Sequence, residues 1–113
     1  MRWTLFIALT LAACSKGPEA DLPAIGEARS LAAEWALVNE QSAAGHITST
    51  YTQTMRARLR EALQTDLGSL TRPQSGYGNE IRAILATADD ASPALLRAHA
   101  RALKQIEDKL ESA

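Results

Sequence analysis

Cysteine occurs once in this 113-residue chain, at position 14, so no internal disulfide can form and a disulfide-stapled scaffold is excluded. Aromatic residues are almost as scarce. Trp3, Phe6, Trp35, Tyr51 and Tyr77 are all there are, so a core must be assembled mainly from aliphatic and small side chains. The uncharged stretch from Trp3 to Ala13 has 11 residues, whereas a helix needs about 20 to cross a bilayer, so this stretch is no permanent membrane span. Charge of one sign is lacking too. With 12 basic and 13 acidic residues the formal net charge is −1, and no electrostatic footprint for nucleic acid follows. Alternating β patterns, internal repeats and low-complexity tracts are also missing, which leaves helical periodicity as the organising signal. What is abundant is alanine, 22 of the 113 residues, and helices that bury alanine can approach closely.

The N-terminus has the order of an export signal. Arg2 is the one charge before the apolar stretch, and the small residues Ala12 and Ala13 stand where a processing peptidase needs narrow side chains. The tetrapeptide Leu11-Ala12-Ala13-Cys14 resembles the lipobox of bacterial lipoproteins, a resemblance confined to about the first fifteen residues. It implies cleavage before Cys14, a diacylglycerol on its thiol and, as is usual in that class, a further acyl chain such as palmitate on its freed amine. Ser15 is not the aspartate that retains many such proteins in the inner membrane, so the resemblance implies an outer-membrane anchor facing the periplasm. The expected organisation is a signal peptide over 1–13, a flexible tether over 14–22 and a helical domain over 23–113. The mature chain of about 100 residues suffices for one domain.

Within that domain the punctuation predicts three to four helices. Asp21 stands near a capping position and Pro23 suits a first turn, after which Ile25, Ala28, Leu31, Ala32, Trp35 and Val38 recur by threes and fours as one face. Gly45 is the expected left-handed stop. Thr48, Ser49 and Thr50 offer caps for a second helix, with Gln53 three residues after Thr50, and Tyr51, Met55, Leu59, Ala62, Leu63 and Leu67 form its stripe. Thr71 to Gly78 reads as a loop. Ile81, Ile84, Leu85 and Ala88 suit a short third helix ending at Asp89-Asp90. Ser92-Pro93 is a start signal for a fourth, whose stripe is Leu96, His99, Leu103, Ile106 and Leu110. The fold class expected is all-α: a small antiparallel bundle of three to four helices, the first two forming a long hairpin, after the lipoprotein signal peptide.

No catalytic motif emerges, and no metal or cofactor is expected. His99 lies on an apolar stripe without a second histidine at ligand spacing, and His46 sits in a separate turn, so both read as structural. Asp89-Asp90 lacks the further oxygen ligands of a calcium loop. Arg56, Arg58 and Arg60 fall on both flanks of the Tyr51-Met55-Leu59 stripe rather than in one patch. They read as a solvated rim, with contact to anionic headgroups as the alternative. Glu34 and Glu40 do not converge as paired carboxylates. Gly76-Tyr77-Gly78 is too short to cradle phosphate.

The function these features suggest is a lipid-anchored structural or interaction module of the bacterial envelope. Its partners would be the membrane, through lipid on Cys14, and either an envelope protein or a second copy of the chain, met through Met55 and Leu59 at mid-stripe. The alternatives are an anchored regulator or inhibitor of an envelope enzyme, recognising through Arg72 to Gly78, and a small binder of an apolar ligand between helices.

Overall fold

The computed structural model describes residues 17–113, and within them the protein is an all-helical antiparallel bundle. A 3-10 turn, Pro18–Asp21, leads directly into α1, Leu22–Ala43; α2 is Ser49–Ser69, α3 Gly76–Leu85 and α4 Pro93–Ser112. No strand occurs among the described residues. The stretch expected as a signal peptide, residues 1–13, and Cys14 lie outside them.

Helix boundaries follow local chemistry. α1 ends in a Schellman arrangement: Gly45 takes φ +77°, its N–H donates to the Ser42 carbonyl and that of His46 to the Gln41 carbonyl. Thr48 caps α2 by accepting from the Tyr51 N–H at 3.1 Å, so the box expected between Thr50 and Gln53 is not the one used. Ser92 caps α4 through the Leu95 N–H at 3.1 Å, with Pro93 in the first turn.

The stretch expected as loop up to Gly78 is helix from Gly76 onward. Ser75 supplies the cap by accepting from the Gly78 N–H at 3.2 Å, and α3 packs so tightly over the preceding turn that a Cβ at position 78 would overlap the Pro73 carbonyl. Pro18–Leu22, expected within a flexible tether, differ as well. They are helical, and Asp21 is buried. The local pattern, broken by Gly17 and Pro18, carried no trace of the long-range contacts that hold this segment.

α1 is the central element, packed most extensively on α4, next on α2, and lightly on α3, which bridges α2 and α4. Ala28, Ala32 and Ala36, all fully buried, explain this: side chains four apart share a face, and methyl groups there let a neighbouring helix come close. Ile25 and Trp35 add bulk at two levels of the same helix, and Leu63, Ile81, Ile84, Leu96 and Leu103 close the core around them. Trp35 is wholly buried, as its size in an aromatic-poor chain leads one to expect. Its indole N–H donates to the Asp89 carbonyl at 3.0 Å, so the polar handle of the ring is satisfied.

An open seam on the helical hairpin

α1 and α2 run antiparallel, and the seam between them on the side away from α4 stays open. Near the hairpin turn Leu37, Val38, Gln41 and Glu34 of α1 face Tyr51 and Met55 of α2, with Ile47 of the turn above them, around a groove of about 190 Å³. Leu37 and Tyr51 are 48% and 51% exposed, two of the three large apolar side chains that stand out in solvent among the described residues. Leu37 sits off the core stripe of α1, and an apolar residue off the stripe is the sequence signal that would have marked this surface.

Down the seam the chemistry changes from apolar to acidic. At about 100° per residue, Asp66 lies within roughly 20° of Met55 on the α2 surface, three turns away, while Glu27 and Glu34 share one stripe of α1. Asp66 is only 6% exposed, its Oδ2 has no hydrogen-bond partner, and Glu27 is the carboxyl group beside it. Burial, reinforced by the proximity and charge of Glu27, pushes the Asp66 carboxyl up to about 7. Neither these two acids nor Glu34 belongs to any of the four Arg or Lys ion pairs, or to the His99–Glu80 contact, among the described residues. Arg58, about level with Glu34, is exposed and also unpaired there.

The opposite flank of α2 is closed by a polar network. Arg60 donates through Nε to Asp89 Oδ1 at 2.9 Å and through its terminal nitrogens to the Leu85 and Thr87 carbonyls at 2.8 and 2.7 Å, with its guanidinium 4.6 Å from the Trp35 ring centroid. Asn39 donates to the Asp89 and Ala91 carbonyls and accepts from Arg56 Nε at 2.9 Å. Arg56 and Arg60, expected at a solvated rim, therefore tie α2 to α1 and to the turn before α4, whereas Arg58 is exposed. The shallow cleft of about 280 Å³ beside Arg56, Arg60 and Asp89 is lined by groups already engaged with one another.

The other candidate residues are dispersed. His99 Nδ1 pairs with Glu80 Oε2 between α4 and α3, while His46 Nδ1 meets Gln41 Oε1 at 2.8 Å at the hairpin turn. Glu40 pairs with Arg97 at 3.1 Å, far along α1 from the Glu27 end. Met55 lines the groove, half-buried. Leu59, expected beside it as a partner contact, is 3% exposed and belongs to the core. Four residues advance a helix by about 400°, and the extra 40° turns Leu59 inward from the seam. Among the described residues no three His, Cys, Asp or Glu side chains form a group able to hold a metal ion, and no helix is long and apolar enough to cross a membrane. Comparison with known protein families, with characterised proteins and with solved structures finds no match to this chain.

Proposed function

We propose that this protein is a lipid-anchored interaction module of the bacterial envelope, held by acyl chains on Cys14 and offering the α1–α2 seam to another envelope protein. The observation that carries the reading is the half-exposed pair Leu37 and Tyr51, flanking Met55 across an open groove. At about 190 Å³ the groove is smaller than the roughly 300–1,000 Å³ of sites that enclose small ligands, which favours docking of a larger surface over a captured apolar molecule. The lipobox resemblance supports the anchor, and Ser15 supports the outer membrane facing the periplasm.

The test is cross-linking in intact cells from a photoreactive residue at position 37, followed by recovery of the lipidated protein. One specific envelope partner, lost with Met55→Asp while membrane attachment persists, is the expected result; recovery of the monomer alone across several linker lengths overturns it. Fatty-acid labelling abolished by Cys14→Ser checks the anchor, and labelling absent from the natural protein defeats it. Fractionation with inner-membrane markers only would overturn the outer-membrane assignment.

The regulator reading keeps one observation of its own. Asp21 grips the backbone of Thr71 and Arg72, so a firmly held turn presents Arg72, Pro73 and Gln74 to solvent. Loss of the captured partner on Arg72→Ala, with Leu37 and Met55 intact, would select it.

A further inference from the structure

The seam offers apolar contacts at one end and unpaired carboxyl groups at the other, and a partner must match both. From the level of Met55 to that of Asp66 the α2 axis rises about 16 Å. At the upper end Leu37, Tyr51 and Met55 present apolar surface. Glu34 stands at the margin of that surface, Glu27 lies two turns further down α1, and Asp66 lies behind Glu27 with a buried oxygen that nothing satisfies. A buried acceptor without a donor is costly, and a cation held on Glu27 in front of it offsets the repulsion between the two carboxyl groups. Glu27 and Glu34 outnumber Arg58, the one exposed cation about level with Glu34, so this end of the seam is net acidic and attracts cations more than anions.

Resting on the interaction reading above, we propose that the α1–α2 seam receives a cationic amphipathic helix of a partner protein, its apolar residues against Leu37, Tyr51 and Met55 and its Lys or Arg side chains on the exposed Glu34 and Glu27. The partner helix carries apolar residues on two successive turns and basic residues about seven to eleven positions away, since its rise per residue equals that of α1 and α2. Such an arrangement has the apolar anchors set the affinity and the charges set partner choice and direction.

The test uses the full lipidated chain in phosphatidylcholine nanodiscs, whose neutral lipid does not itself select a charged probe. Two synthetic helices of about 18 residues, identical in their leucines and differing only in Lys against Glu at the distal positions, are titrated by fluorescence anisotropy. The Lys peptide is expected to bind about tenfold or more tighter than its Glu twin. Leu37→Asp should abolish binding of both. Because Glu27 and Glu34 are exposed, the double variant Glu27→Lys, Glu34→Lys keeps the fold, as an unchanged helical circular dichroism spectrum verifies, and should reverse the preference. Equal binding of the two peptides overturns the proposed charge selection while leaving a docking role intact. Binding of neither overturns the helix proposal, and the in-cell cross-linking decides the broader reading separately. A dimer in the nanodiscs that protects position 37 from labelling overturns it in favour of a second copy.

Discussion

Asp21 and Asp66 are both sealed from solvent, 1% and 6% exposed, yet the bundle treats them in opposite ways. Asp21 occupies the capping position of α1 but makes no cap bond. Its carboxylate instead crosses to the turn after α2, accepting from Thr71 N–H at 2.7 Å, Thr71 Oγ1 at 3.0 Å, Arg72 N–H at 3.2 Å and the Tyr77 hydroxyl at 2.6 Å. Burial by itself raises its carboxyl, but those donors outweigh burial and hold it below the ordinary aspartate value. The same contact, added to burial, raises the Tyr77 hydroxyl. Asp66 meets a second carboxyl where Asp21 meets four donors, and is raised. Burial is common to both; the supply of donors separates a structural lock from an unsatisfied group beneath the acidic end of the seam.

The largest way to break this contrast is to remove the lock. Asp21→Ala strands four donors at the base of the bundle and should cost about 3–5 kcal/mol in urea unfolding followed by circular dichroism, a large share of a small domain's stability. A loss under about 1 kcal/mol would show that water replaces the carboxylate freely.

Next in size is the reverse substitution. Asp66→Asn supplies an N–H for Glu27 and removes the strained charge, so at pH 8 it should stabilise by about 1–2 kcal/mol where most buried substitutions destabilise. Its effect must depend on pH. Asp66 has a folded value of about 7 against an ordinary value of 3.8, so the folded state keeps its proton longer than the unfolded state. The stability tied to that proton is fully present below the unfolded value and is lost as pH rises through about 7, at up to about 1.4 kcal/mol per pH unit. Asp21, lowered in the fold, behaves oppositely: its contribution is present above the unfolded value and is lost as pH falls through the lower folded one. Asp66→Asn should therefore flatten the decline between about pH 4 and 7 and leave the acid limb below about pH 4 intact. A decline unchanged by Asp66→Asn would assign it to other groups.

The smallest effect sharpens the comparison rather than breaking it. Tyr77→Phe deletes one of the four donors to Asp21 and nothing else in that contact, at a cost of about 1.5 kcal/mol. It should also move the acid limb to higher pH, because the Asp21 carboxylate loses a donor that favours its ionised form. A stability loss without that shift would mean the ring's packing, and not its hydroxyl, is what matters.

Much of this architecture was legible in residue order. The hydroxyl of Thr48, the Ser92-Pro93 pair and Gly45 act over four or five residues, so their roles as caps and stop survive in any tertiary context. Spacing by threes and fours marked the buried stripe of α1 through Ile25, Ala28, Ala32 and Trp35 for the same reason. Asp21 shows where that logic ends. Proximity to Pro23 made it look like a cap, but its partners lie 50 to 56 residues away and no local pattern encodes them.

The candidate surface divides in the same way. Met55 and Leu59 are neighbours on one stripe, and the stripe alone does not say where a core ends; once α2 rests on α1, the angle of about 40° between them leaves Met55 at the groove and turns Leu59 inward. Asp66 stands on the buried side of α2 with Leu63 and Leu70, an acid where the periodicity calls for an apolar residue. By itself the sequence determined helix content, the helix starts and stops set by local caps, and the alanine-rich faces that permit close packing, because each depends on residues within one or two turns. Only the tertiary structure decided which carboxylate found donors, which arginines became internal ties and which seam stayed open, because those outcomes depend on how helices far apart in the chain come to rest against one another.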